Sequence, residues 1–303
     1  MNPVRGIFLM MSAVTLFTVM LAIIKGVARV PAGEAMFFRS LFALPVILAW
    51  LWSRDELRTG VRTQNLRAHF ARGIVGSCAM GLGFAGLRFL PLPEVTAIQF
   101  TTPVILVVLA AFMLGERIRA IRIGAVTMGL IGVTIIIWPR LTFEGDASAL
   151  IGVAMILTSA ALAALAQIFV KSMSGTETTA AIVFYFTLTS TILSLLTLPF
   201  GWVWLTPAEW GLLVAAGLIG GTGQLLLTAS YRFADAGVLA PFSYISMLWS
   251  VIIGWVWFEE APTLQMLVGA SLVILAGIII VLRERQLGSD ATARRKVRAK
   301  GFQ

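Results

Sequence analysis

Charge is what this sequence has least of. Only 12% of its 303 residues are Asp, Glu, Lys or Arg, against about 25% in an ordinary soluble domain. Most of the chain therefore cannot form a water-facing surface. It has one cysteine, Cys78, and one histidine, His69. A lone cysteine excludes an intrachain disulfide, and its place inside an apolar run predicts a packed thiol. One histidine, with no D-x-x-D and no H-E-x-x-H, leaves no ligand set for Mg²⁺ or a His-bound metal. That argues against an integral membrane enzyme acting on a lipid or prenyl substrate; no metal, no cofactor and no catalytic residue is expected. Acids are also missing from mid-run positions: Glu34, Glu94, Glu116, Glu259 and Glu260 all fall near the ends of apolar stretches. Proton-coupled carriers commonly use a mid-membrane carboxylate or histidine relay. With His69 beside the basic loop, flux is expected to follow the solute gradient more than pH.

Hydrophobicity is what is there instead: 59% of residues are apolar and mean hydropathy is +0.94. Crossing a ~30 Å hydrocarbon core takes about 20 apolar residues. Ten such runs lie at roughly 6–24, 33–52, 70–88, 94–115, 120–138, 149–170, 179–199, 208–230, 237–258 and 264–282. They predict an all-α polytopic membrane protein with ten transmembrane helices. The first run follows Arg5 and reaches Lys25 without a small-residue cleavage site, the pattern of an uncleaved first span. With ten spans, every one of the 23 Lys and Arg residues falls on one side except Lys25, Arg29, Arg39, Arg88 and Arg140. The positive-inside rule puts that side, with both termini, in the cytoplasm of the cell's inner membrane. The tail "RRKVRAK" then anchors to lipid headgroups, and no nucleic-acid partner is expected.

The two halves lay over each other. At an offset of 144, Gly73 and Gly76 of "GIVGS" meet Gly217 and Gly220 of "GLIGG", Arg88-Phe89 meets Arg232-Phe233, and Glu116 meets Glu260. One residue further on, Gly124-Ala125 meets Gly269-Ala270 and Gly132 meets Gly277. Five spans per half is an odd number, so the second copy enters the membrane from the other side: two inverted five-helix repeats. Residues 1–140 form the first repeat, 148–285 the second and 286–303 a basic tail, joined by "RLTFEGDAS" (Arg140–Ser148). Such repeats are a recurring plan of secondary transporters, which makes a carrier the first expectation ahead of a channel or scaffold.

Each repeat closes its fourth span in a similar way, with "TTPVILVVLAAFMLGERI" (Thr101–Ile118) and "APFSYISMLWSVIIGWVWFEE" (Ala240–Glu260). A proline, an apolar stretch and a terminal Gly-Glu resemble the EamA-type transporters of the drug/metabolite transporter superfamily, over roughly residues 5 to 283. Glu259 stands where that family commonly has glycine. The resemblance implies a small-metabolite carrier with a central cavity, lined mainly by the third, fourth, eighth and ninth spans with help from the first and sixth. It implies no single substrate. The runs "VTAIQFTTP" and "YRFADAGVLAPFSYISMLW" are most similar to riboflavin and S-adenosylmethionine carriers, so a riboflavin-like vitamin leads. Amino acids and S-adenosylmethionine-like metabolites are the alternatives, with the protein acting as a monomer or homodimer.

Polar groups inside spans must find partners or face a wet cavity. Arg39, in "AMFFRSLFALP", is the one formal charge lying well within a run. It has two readings: a side chain that snorkels to headgroups or pairs with Glu34, or a contact for solute oxygens. Gln99 lies at three-residue spacing from Thr96 and Thr102 on one helix face. With Gln167, Tyr185, Gln224, Tyr244 and Trp249, Arg39, Gln99 and Thr102 make up the candidate substrate-binding set. Amides read heteroatoms and rings stack on planar solutes. Any single Ser or Thr hydroxyl has the competing use of bonding its own helix backbone. The buried amides of Gln99 and Gln224 are harder to satisfy that way.

Overall fold

The computed structural model of the chain describes residues 3–114, 120–141, 147–173, 176–230, 233–234, 239, 242–280 and 282. Among these residues the regular structure is helical, with no strand. Lipid explains why: it offers the backbone no hydrogen-bond partner, so each spanning segment must satisfy its own N–H and C=O groups. The first repeat holds α1 (Pro3–Gly26), α2 (Ala32–Leu41), α3 (Ala43–Trp52), a short α4 (Leu57–Gly60), α5 (Leu66–Gly86), α6 (Leu92–Gln99), α7 (Thr102–Leu114) and α8 (Ala120–Leu141). The second holds α9 (Ala147–Met173), α10 (Thr179–Leu195), α11 (Pro207–Ser230), α12 (Ile245–Phe258) and α13 (Leu264–Ile280).

Two spans of the first repeat are broken, each next to a proline. The second span divides at Phe42, whose N–H still reaches Phe38 O at 3.0 Å, and Pro45 sits in the first turn of α3. The fourth span divides at Phe100 and Thr101, with Pro103 just inside α7. A first-turn proline removes an N–H that has no intrahelical partner anyway. The carbonyls freed at the second break are met by hydroxyls: Thr101 Oγ1 donates to Ile98 O and Thr102 Oγ1 to Gln99 O, both at 2.7 Å. The endings at 115–119 and Pro241 lie outside the described residues.

The packing obeys the repeat. Numbering spans in order, α1 pairs with α11 (first with eighth) and α5 with α9 (third with sixth); exchanging the two repeats turns one pair into the other. In the same way α5 against α10 mirrors α11 against α2 and α3. The contact of α2 with α10 maps onto itself, as does that of α6 with α12. Close approach comes from small residues, as expected where lipid gives helices no hydrophobic drive to associate. A Cβ on Gly132 of α8 would stand 2.7 Å from Gly269 O of α13, and one on Gly269 2.6 Å from Gly132 O. The outer surface is apolar, with Trp52, Trp138, Trp204, Trp255 and Trp257 all exposed. Cys78, for which the sequence predicts a packed thiol, is exposed on α5. In a bilayer an apolar position can face lipid as readily as protein.

Candidate functional site

A cavity of about 400 Å³ lies between the repeats. The first repeat contributes α1, α2, α5 and α6, and the second α9, α10 and α11. Its depth follows from position along the helices at 1.5 Å per residue. Gln99 is at the far end of α6, whereas Val170 and Leu227 are three residues from the ends of α9 and α11. The space therefore runs from the middle of the bundle toward the end that carries His69.

Four of the eight candidate residues line it together: Arg39, Gln99, Gln167 and Gln224. Gln99 donates from Nε2 to Ser159 Oγ at 3.0 Å, and Ser159 donates to Ala79 O at 2.7 Å. That fixes the amide across the α6–α9 contact. Arg39 is 5% exposed and forms no ion pair with Glu34, whose Oε2 instead accepts the Val203 N–H at 3.1 Å.

The other four lie elsewhere. The Thr102 hydroxyl is spent on Gln99 O at the helix break. Tyr244 packs its ring 4.7 Å from Phe100 and its hydroxyl against Gly277 of α13. Tyr185 lies tilted against His69, with ring centroids 4.8 Å apart. Trp249 packs against the main apolar core, its buried Nε1 without a hydrogen-bond partner. Backbone bonding also accounts for the hydroxyls of Thr96, Thr222, Ser246 and Ser250.

The sequence reading misses a second cation. Arg72, assigned there to the basic loop, lines the cavity with its guanidinium 3.8 Å above the Phe186 ring. Arg39 lies over the same ring at 5.9 Å. Arg39 Nε and Arg72 Nε and Nη1 are buried without hydrogen-bond partners. The signal was local: Asn65 caps α5 by accepting the Ala68 N–H at 3.1 Å, starting the helix early enough to carry Arg72 inside.

Each end of the bundle is tied across the repeats. At one end Lys25 Nζ meets Glu260 Oε1 at 2.7 Å and donates to Leu90 O at 2.7 Å. Glu260 Oε2 accepts the Leu92 N–H at 2.8 Å. Nearby, Arg29 forms a two-point pair with Glu209 and reaches Trp204 O; the bond to Glu209 raises the Arg29 pKa above its ordinary value. At the opposite end Glu177 Oε1 accepts from the Thr63 hydroxyl and from the N–H groups of Gln64 and Asn65 at 2.9–3.0 Å. His69 Nε2 lies 3.2 Å from Glu177 Oε2, off the hydrogen-bond line, a charge contact only when the ring is protonated. Burial pushes the Glu177 carboxyl up, but the Gln64 N–H, His69, Thr63 and the Asn65 N–H outweigh it, so it stays below the usual carboxylate range.

Comparison with known proteins agrees with this architecture. The EamA-like transporter family matches twice, over residues 4–138 and 150–283, and the chain belongs to that family. It is 29% identical over 280 residues to the pseudopaline exporter CntI of Pseudomonas aeruginosa, covering 91% of this chain and 95% of that one. It is 30% identical over 255 residues to a riboflavin transporter of Rhizobium johnstonii, covering 84% and 82%. It is 26% identical over 260 residues to an S-adenosylmethionine uptake transporter of Rickettsia felis, covering 85% of each. A solved crystal structure superposes with a TM-score of 0.64 at 19% identity, covering 93% of this chain and 98% of that one; at that identity the likeness is one of fold.

Proposed function

We propose that this chain is a secondary carrier that moves a small organic metabolite across the cell's inner membrane by alternating access, with the inter-repeat cavity as its substrate site. The carrying observation is that both repeats wall one cavity and each contributes polar side chains to its largely apolar lining. Lys25 and Glu260 tie the bundle at one end, and the cavity continues toward the other. Rocking residues 1–140 against 148–285 would exchange the two closures, and inverted repeats allow two such states of similar energy. The cation-rich side, which includes the His69 end, is cytoplasmic, so the cavity described faces the cell interior.

Arg39, Gln99, Gln167 and Gln224 are the proposed substrate contacts. Thr102 and Tyr244 act one step away, Thr102 by satisfying a carbonyl at the break of the fourth span and Tyr244 by packing between Phe100 of that span and Gly277 of α13. A riboflavin-like vitamin, S-adenosylmethionine and amino acids are the first solutes to test, since relatives named for uptake and for export both exist. The experiment is counterflow into proteoliposomes: saturable exchange of a labelled solute, reduced by Q99A with Q224A, supports the carrier. Flux that rises linearly with concentration overturns it.

A further inference from the structure

We propose, on the basis of the carrier reading above, that Arg39 and Arg72 form a two-guanidinium clamp for an oxyanion of the transported solute, a carboxylate or a phosphate. Two like charges share one ring, and among the described residues no acid lines the cavity with them. Of the nearby carboxylates, Glu34 is engaged by Val203 and Glu177 by the loop at 63–65. Stacking on an aromatic ring is a weak attraction for a cation. Keeping an unpaired charge out of water costs more than that attraction returns, so Phe186 alone does not account for two of them. An anion that enters with the solute does.

The surroundings are shaped for the Arg72 head group. A Cβ on Gly76 would stand 3.1 Å from Arg72 Nη1 and 2.9 Å from Phe186, so the missing side chain leaves room for that guanidinium. Its partner in the internal repeat, Gly220, lies beside Arg39, but a Cβ there would meet Met20 Sδ at 2.6 Å and Arg39 Nε only at an ordinary contact distance of 3.4 Å. Guanidinium was used where a lysine would supply only a point charge, and its planar fork fits two oxygens of one carboxylate or phosphate. The cavity amides of Gln99, Gln167 and Gln224 remain to read the rest of the solute. Charge repulsion between the arginines holds the empty site apart; the anion relieves it and draws α2, α5 and α10 together on one ligand.

The test measures thermal stabilisation of the purified full chain in nanodiscs. The probes are citrate and glutarate as carboxylates and glucose 6-phosphate as a phosphate, with glutaramide, glucose and riboflavin as uncharged comparisons. Wild type should be stabilised in a saturable way by at least one oxyanion class and not by its uncharged counterpart. R72Q and R39Q should each weaken that binding roughly ten- to a hundredfold, and R72K should restore only part of it. If the glutamine variants do not fold, phenylglyoxal modification of the wild type should be slowed by the oxyanion that stabilises it. Equal stabilisation by glutarate and glutaramide, or oxyanion binding that survives R72Q and R39Q together, overturns the clamp. Saturable counterflow of a neutral solute with wild-type kinetics in R72Q sinks the clamp and leaves the carrier standing. Oxyanion binding with no saturable flux of any solute does the reverse.

Discussion

Glu260 offers the sharpest handle on the closed end of the cavity. Its two oxygens do different work: one pairs with Lys25 at 2.7 Å, the other accepts the first N–H of α6, from Leu92, at 2.8 Å. That second contact caps a helix N-terminus from the opposite repeat, where a negative charge is favoured. The pair is mostly enclosed, with side-chain exposures of 12% and 18%. A fully exposed pair is worth about 0–1 kcal/mol, and breaking a fully buried one costs about 3–5 kcal/mol. Glutamine keeps an acceptor for Leu92 but leaves Lys25 with backbone carbonyls alone, so E260Q is expected to cost about 2 kcal/mol between these limits. At 1.4 kcal/mol per factor of ten, that shifts the balance roughly thirtyfold toward the state open at this end. Hydrogen exchange should therefore speed up at residues 87–95 and 258–263 and stay unchanged at 63–69. K25M with E260Q should be no worse than E260Q alone, because the second substitution removes the charge that the first had orphaned. Unchanged exchange at 87–95, or an equal rise at both ends, would refute the latch.

Glu259 adopts φ 57° at the end of α12, a left-handed conformation that costs a non-glycine residue roughly 1–2 kcal/mol. E259G should raise the melting temperature in detergent by a few degrees, the gain limited to about 1 kcal/mol by the extra freedom of the unfolded chain. G269A should separate α13 from α8, because its Cβ meets backbone that cannot rotate away; a loss of about 1–3 kcal/mol is measurable by thermal unfolding. The Glu177 carboxyl titrates below its ordinary range, so its hold on residues 63–65 is complete above about pH 4.3 and is lost as pH falls through the depressed value. The exchange protection factor at 63–65 should be flat from pH 8 to 5 and fall under stronger acid, and E177A should lower it at every pH.

The fold was legible because its driving physics is written in composition. Runs of about 20 apolar residues can only be spanning helices, and Pro45 and Pro103 sit where two of those helices break. The glutamines were legible for a related reason: an amide in lipid needs partners or water, and Gln99, Gln167 and Gln224 all reach the cavity. Tyr185 and Tyr244 were not, because spacing along a helix fixes which residues share a face but not which neighbour that face meets. Arg72 was hidden by its surroundings. "LRAHFAR" straddles the start of the apolar run at residue 70, so hydropathy puts Arg72 at the edge of a span, while the capping asparagine that begins the helix at Leu66 acts through a single hydrogen bond.

The offset of 144 that relates the repeats also separates scaffold from site. It carries Gly76 to Gly220 and Phe42 to Phe186, so the glycine that makes room for Arg72 and the ring beneath both cations occupy positions present in both copies. The cations themselves do not repeat. The counterparts of Arg39 and Arg72 are Val183 and Ala216, both buried and apolar. A symmetric scaffold gives the two repeats interchangeable packing, which alternating access needs in order to keep its two states close in energy. A symmetric charge would put four cations around one small cavity, with repulsion that no single solute anion would cancel. Under the clamp and alternating access proposed above, confining the arginines to one repeat would leave the scaffold reversible and let the solute anion settle the charge of the cavity.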